Sequence, residues 1–296
     1  MSVEDGGASA VAAVAASAGP AVVRIGRDGG RGAGVIIRAG RVLTSAHNLR
    51  AGTTTVAFGD GRVEPGEVTG VDVEGDLAVI AVETGSTPSI AWPEGEPGQP
   101  SLGQAVFAVS LLPSGGNRVT TGRVSAVGTA FRGPRGRLIS DAFEHTAVVG
   151  RGSSGGPVVD AEGRLLGINT HRPGEGLYLA IPASEGLRST VEGLARGETP
   201  ARRRLGVALA PPHVARRLRA SVGLPPRDGL LVREVAEDGP AAAAGIQRGD
   251  LIVAVAGTPV DSLDQLLAAV DGAGPVLGVT VVRGVEEIDL EVSFGS

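Results

Sequence analysis

Glycine interrupts this sequence so often that long regular helices have little room to form. The chain of 296 residues carries 48 glycines and 19 prolines, and they fall between short apolar runs. Inside a helix a glycine costs about 1 kcal/mol relative to alanine and a proline about 3, whereas both suit the turns that join short strands. The runs Ala21–Ile25, Gly34–Ile37, Val42–Thr44, Leu77–Val82 and Ala105–Val109 read as strands. Turn residues separate them at 59–61, 93–100, 113–117 and 133–136. Strands spaced in this way build closed barrels or a sandwich. Aromatic residues are only 2% of the chain, so Val, Ala, Leu and Ile must fill the core.

The length suits roughly two domains. Helical period appears at Ser184–Ala195, where Leu187, Val191 and Leu194 share one face. The short polar segment Gly197–Arg204, with Pro200 inside it, reads as a boundary. Beyond it the texture becomes mixed. Leu205–Ala210, Leu230–Val232, Asp250–Val255, Val276–Val282 and Ile288–Val292 read as strands. Val214–Val222 and Ser262–Val270 read as helices, the second capped by Asp261 or Ser262, and Pro240–Ala244 as a small helix ended by Gly245. The expected division is a lead segment 1–20, a domain 21–196, a linker 197–204 and a second domain 205–296.

Several function classes fall away on composition. The absence of cysteine excludes a disulfide framework, thiol catalysis and cysteine-ligated zinc. Net charge is −5, and every one of the 27 basic residues is arginine. Nucleic-acid affinity rests largely on phosphate neutralisation, so so acidic a chain is not expected to bind nucleic acid. The arginines at 202–204 and Arg216, Arg217 and Arg219 are expected to solvate a linker and one helix face. No window holds 18 consecutive apolar residues, so no membrane span is expected. The Ala/Val run 8–18 ends in Ala16-Ser17-Ala18, a cleavage-site pattern, yet its leader Ser2–Asp5 is acidic where an export signal is basic. It reads as a short helix feeding the first strand, and the expected location is the cytoplasm.

The segment Gly150-Arg151-Gly152-Ser153-Ser154-Gly155-Gly156-Pro157 carries the strongest chemical signal. Flanking glycines let a substrate carbonyl approach the Ser154 hydroxyl, and a glycine-rich turn can aim backbone N–H groups at an oxyanion. A dinucleotide fingerprint would need a helix to start here, whereas Pro157–Asp160 reads as a strand. Serine needs a base, and the chain has four histidines. His213 lies past the linker, His171 in a polar turn, and His145 nine residues before Ser154. His47 instead closes a strand that runs into a small-residue turn. A base needs an orienting carboxylate. Asp76, opening the apolar run Leu77–Val82, suits that role better than Asp72 or Glu74, which are expected on the solvent side of a turn.

Those three residues stand in the order His47, Asp76, Ser154, within Thr44-Ser45-Ala46-His47-Asn48, Gly75-Asp76-Leu77-Ala78-Val79 and Gly152-Ser153-Ser154-Gly155-Gly156-Pro157. With Thr121–Ala126, Gly167-Ile168-Asn169-Thr170 and Leu179-Ala180-Ile181-Pro182, they make the chain resemble an HtrA/DegP-type serine protease. The second half resembles a bacterial PDZ domain through Leu205-Gly206-Val207, Gly239–Gly245 and Gly249–Gly257. The resemblance implies a mainly β fold, a trypsin-like double β-barrel followed by a smaller α+β PDZ domain. It implies an ATP-independent endopeptidase acting on misfolded or regulatory proteins, with Ser154 as nucleophile, His47 as base and Asp76 as its orienter. The backbone of Gly152, Ser153 and Ser154 would form the oxyanion hole. Val148, Val149, Ile168 and Thr170 would flank the specificity pocket, with no acid to pair a basic side chain, so cleavage after small or medium aliphatic residues is expected. No metal and no cofactor is needed.

The same resemblance implies that the loop holding Arg204, Leu205, Gly206 and Val207 receives the C-terminus of a hydrophobic peptide. That peptide adds a strand beside residues 205–209, with Leu266 and Val270 lining the side-chain pocket. It also implies a homo-oligomer, a trimer. The chain departs from the family pattern at Ser110–Gly116, where a different activation loop is usual, at Thr146, where an acid is common, and at Ser153, where Asn is usual. The altered activation loop leaves a second reading open, a PDZ-bearing peptide-binding or holdase protein without catalysis.

Overall fold

A computed structural model describes residues 3–26, 32–49, 54–93, 100–133, 138–174, 176–199 and 203–294. The chain forms two compact units, Met1–Pro200 and Ala201–Ser296. The expected linker 197–204 and the turn at 133–136 lie partly outside the described residues.

In the first unit, α1 (Val3–Ser17) passes through a single 3-10 turn (Gly19–Ala21) into β1 (Val22–Ile25). It is followed by β2 (Gly32–Arg38), β3 (Arg41–Thr44), β4 (Thr54–Ala57), β5 (Val63–Asp72) and β6 (Leu77–Ala81). These strands close into a barrel in the order β1-β2-β3-β6-β5-β4. A second closed barrel, ordered β10-β11-β12-β9-β8-β7, is built from β7 (Ala105–Leu111), β8 (Asn117–Arg132), β9 (Leu138–His145), β10 (Pro157–Val159), β11 (Leu165–Gly174) and β12 (Leu177–Pro182). The sequence leaves barrel and sandwich open; the structure has barrels, in which every strand pairs on both sides and no edge is left. The segment between β7 and β8, the site of the unusual activation-loop sequence, is a tight hairpin in which the Leu112 N–H donates to the Gly116 carbonyl over 3.0 Å.

One apolar cluster runs through both barrels, from Val22, Val35, Leu43 and Ile80 to Phe107, Val159, Leu165 and Ile168. Val14 and Ala18 of the lead segment are wholly buried in it. Helix α2 (Glu185–Ala195) joins the same core through Leu187, Val191 and Leu194, and its N-cap Ser184 accepts from the Leu187 N–H, as the helical period implies. The helix lies so close to β5 that a Cβ on Gly70 would sit 2.6 Å from the Leu194 carbonyl oxygen.

The second unit contains β13 (Val207–Ala210), α3 (Pro212–Ser221), β14 (Leu230–Val235), α4 (Pro240–Ala243), β15 (Leu251–Val255), β16 (Thr258–Pro259), α5 (Leu263–Asp271), β17 (Val276–Arg283) and β18 (Glu286–Ser293). Its sheet is ordered β13-β14-β15-β17-β18, with β16 beside β15. Strand β13 starts at Val207 rather than Leu205 because Gly206 takes a φ of 78°, outside extended geometry. Ser262, not Asp261, caps α5. Arg219 is no surface charge: it is 3% exposed, with its guanidinium donating to the carbonyls of Pro225 and Gly284. Buried Asp250 is held by the Arg283 fork and by the Gln247 N–H, each at 2.8 Å. No helix among the described residues is long and apolar enough to cross a membrane.

The close approach at Gly70 yields a test of packing. Gly70→Ala should destabilise the first unit by about 1–3 kcal/mol, the usual cost of overpacking. Gly59→Ala, whose Cβ would meet only Leu111 at 3.7 Å, should shift the urea midpoint little.

Candidate active site

Three loops bring the candidate residues together. Strand β3 ends at Thr44, and a single 3-10 turn, Ala46–Asn48, lifts His47 out of the barrel. Asp76 precedes β6 with a φ of 56°, the left-handed region that aspartate tolerates better than bulkier residues. The turn leading to it is closed by Asp72, which is buried and accepts from the Gly75 N–H, not solvated as expected. Ser154 sits between β9 and β10, in a turn where Gly152 and Gly155 take φ values of 82° and 85°. A side chain at Gly155 would strike the Ala33 carbonyl and Ser45 N–H of the first barrel.

The carboxylate of Asp76 is 1% exposed and fully occupied. His47 Nδ1 lies 2.8 Å from Oδ2 and 2.9 Å from Oδ1, and the His47 backbone N–H donates to Oδ1 over 3.1 Å. The Thr170 hydroxyl donates to Oδ2 over 2.9 Å. With Nδ1–H turned to the carboxylate, the lone pair of the imidazole resides on Nε2. The hydrogen bond from Nδ1 to Asp76 holds the His47 pKa above its ordinary 6.5; partial burial opposes this and the Asp76 charge adds to it. The Ser154 hydroxyl donates to the Thr170 carbonyl over 3.1 Å rather than to His47. Thr170 therefore touches both ends of the site.

Around Ser154, the Ser153, Gly155 and Gly156 N–H groups donate to the carbonyls of Gly150, Asn169 and Ser153. The N–H groups of Gly152 and Ser154 have no acceptor among the described residues.

A cavity of about 200 Å³ adjoins Ser154, lined by Val149, Gly150, Arg151, Gly152, Asn169, Thr170 and Tyr178. Two residues expected there are elsewhere. Ile168 is wholly buried in the barrel core, because successive residues of β11 face opposite ways. Val148 is 58% exposed and outside the lining. The sequence reading missed Asn169 and Tyr178, whose only signal was their neighbourhood to Thr170 and to the matching Leu179–Pro182 run. Behind this wall His145 is fully buried, its Nε2 2.9 Å from Asn169 Oδ1 and its ring beside Phe143 and Tyr178. Burial holds its pKa below 6.5, against the hydrogen bond to Asn169. Among the described residues no cluster of His, Asp and Glu could hold a metal ion.

In the second unit β13 is the sheet's terminal strand. The Leu205 and Gly206 carbonyls accept from Ala241 and Ala236, and Val207 is half-buried. Leu266 and Val270 are each 2% exposed within the core beside Leu205, so they back this region rather than line an open pocket. Leu263, 49% exposed, is the outward apolar residue of α5.

Two pH effects follow, one on activity through the raised His47 and one on stability through the lowered His145. Any activity that needs neutral His47 should fall as pH drops through a midpoint above 6.5, since its folded pKa is raised; a rate profile gives this directly. His145 is neutral when buried, while the unfolded chain takes up a proton near 6.5. Stability should therefore decline as pH falls below about 6.5, and melting of His145→Gln against the parent should show a shallower decline.

Residues 32–168 match the trypsin-like peptidase domain and residues 231–283 the PDZ domain. A putative serine protease HhoA of Synechocystis sp. is 33% identical over 280 residues, spanning 90% of this chain and 71% of that protein. Serine endoprotease DegS of Escherichia coli is 32% identical over 281 residues, spanning 89% and 76%. Among solved structures, the HtrA-type protease AlgW with a decapeptide superposes with a TM-score of 0.76 at 25% identity, covering 96% of this chain and 97% of that one. The serine endoprotease from Yersinia pestis gives 0.73 at 28% identity, covering 96% of each.

Proposed function

The chain belongs to the HtrA-type serine endopeptidases, a trypsin-like peptidase domain followed by a PDZ domain, and on that premise we propose that Ser154, His47 and Asp76 are its catalytic triad. The observation that carries this assignment is the buried Asp76 carboxylate bound to His47 Nδ1. Ser154 Oγ rotates from the Thr170 carbonyl to His47 Nε2 and attacks the substrate carbonyl carbon. His47 accepts the hydroxyl proton, then delivers it to the leaving amine as the C–N bond breaks. Water, deprotonated by His47, hydrolyses the acyl-enzyme. Asp76 keeps the tautomer and stabilises the imidazolium, and the Gly152 and Ser154 N–H groups take the oxyanion.

The pocket lining contains no carboxylate and includes Arg151, which supports cleavage after small or medium aliphatic residues rather than Lys or Arg. Substrates are misfolded or regulatory proteins, cut without ATP. The exposed edge of β13 supports addition of a hydrophobic C-terminal peptide as a further strand. Leu266 and Val270 would have to open from the core to contact its side chain. A Brucella suis relative is named as periplasmic, and an extracytoplasmic location replaces the cytoplasmic one in this reading.

One observation favours a resting or non-catalytic state: the Ser154 hydroxyl is bound to Thr170 and not to the base. Labelling with a fluorophosphonate probe separates the readings. The parent should label, with or without a hydrophobic C-terminal peptide, and Ser154→Ala should not; peptidase activity of that variant should fall by about 10⁴-fold or more. Labelling confined to the peptide-bound protein would assign the PDZ domain a switching role, and none under either condition would favour a binding protein. Peptide-library profiling with Arg at the cleavage position would refute the aliphatic preference.

A further inference from the structure

The geometry points to Asn48 as a positioning residue that clamps the nucleophile's backbone to the loop carrying the base; this rests on the triad assignment above. Asn48 directly follows His47, is 3% exposed, and extends its amide toward the second barrel. Nδ2 donates to the Ser154 carbonyl over 2.8 Å and to Thr44 Oγ1 over 3.0 Å. The Ser154 carbonyl also accepts from the Ala33 N–H over 2.9 Å. The Thr44 hydroxyl donates to the Ala33 carbonyl over 2.7 Å. The nucleophile's carbonyl is thus gripped by two donors on the first barrel, one of them adjacent in sequence to His47.

Two further observations separate a clamp from ordinary packing. The amide cannot be turned over: the Thr44 hydroxyl hydrogen is already committed to Ala33, so a flipped amide would set its oxygen against two acceptors. Asn48 Oδ1 is buried without a partner among the described residues. An apolar side chain would avoid that cost, so the Nδ2 bonds are the gain that an apolar residue would forfeit. Secondly, space is cleared for this amide. A Cβ on Gly32, at the start of β2, would fall 2.1 Å from Asn48 Cγ and Nδ2 and 2.2 Å from Oδ1.

Triad chemistry is steep in the separation between nucleophile and base, and a displacement near 1 Å costs roughly a hundredfold. Asn48 touches neither substrate nor reacting atoms. It fixes where the Ser154 main chain stands relative to the turn that presents His47.

The test compares the full chain with Asn48→Ala, Asn48→Asp and Gly32→Ala, with Ser154→Ala as blank. The readouts are kcat and KM on a peptide, fluorophosphonate labelling rate, the pH midpoint and the melting temperature. The expected result is a roughly ten- to hundredfold loss of kcat and of labelling rate, with KM within about twofold. In Asn48→Ala and Gly32→Ala the pH midpoint should stay in place, because the His47–Asp76 pair is untouched; in Asn48→Asp the new carboxylate beside His47 should move it upward. Gly32→Ala, which displaces the amide from outside, should lose activity in the same direction, and it decides the matter if neither Asn48 variant folds. Wild-type labelling by Asn48→Ala or Gly32→Ala overturns the clamp, as does a loss matching only the unfolded fraction. A parent that labels neither alone nor with a hydrophobic C-terminal peptide refutes the triad assignment itself, a separate result from either.

Discussion

A carboxylate buried to 1% exposure must be supplied with hydrogen bonds or charge, and the arrangement of the first unit follows from how Asp76 is supplied. Its partners come from two barrels: the His47 ring and N–H from the turn after β3, and the Thr170 hydroxyl from β11. Leaving any of them out would strand a buried anion, a costly state. The site is therefore a consequence of barrel closure on both sides. The left-handed backbone at Asp76 is tolerated because this set of contacts over-determines it.

Much of this was legible in the sequence, for physical reasons. Short apolar runs between glycines mark strands, and the amphipathic period of Leu187, Val191 and Leu194 marks α2 in its observed place. His47 and Asp76 were readable because each stands where an apolar strand meets a small-residue turn. What failed was phase. On β11, Ile168 and Asn169 differ by one residue and face opposite sides, and the register with β12 shifts between Asn169 and His171. Neighbouring residues alone do not reveal which of the two points at Ser154. Asp72 and Arg219 failed for another reason: each is a charged residue that backbone groups make cheap to bury, the Gly75 N–H of its own turn for Asp72 and the Pro225 and Gly284 carbonyls for Arg219.

Thr170 shows how few atoms couple the parts. Its hydroxyl serves Asp76 while its carbonyl holds the Ser154 hydroxyl, so one residue both supports the partner of His47 and occupies Ser154. Release of Ser154 toward His47 requires giving up only the second of these bonds. The carboxylate's support stays intact while the serine turns.

Around Asp76 and Ser154 the two barrels are joined by amides, hydroxyls and carbonyls over a shared apolar core, and the chain has no cysteine and one methionine. Fold, seam and the Ser154 hydroxyl thus contain nothing that a thiol–disulfide couple can make or break, and an alcohol does not enter the oxidation ladder that inactivates thiolates. The catalytic unit is consequently indifferent to the redox potential of its surroundings, and would keep the same geometry in a reducing or an oxidising compartment.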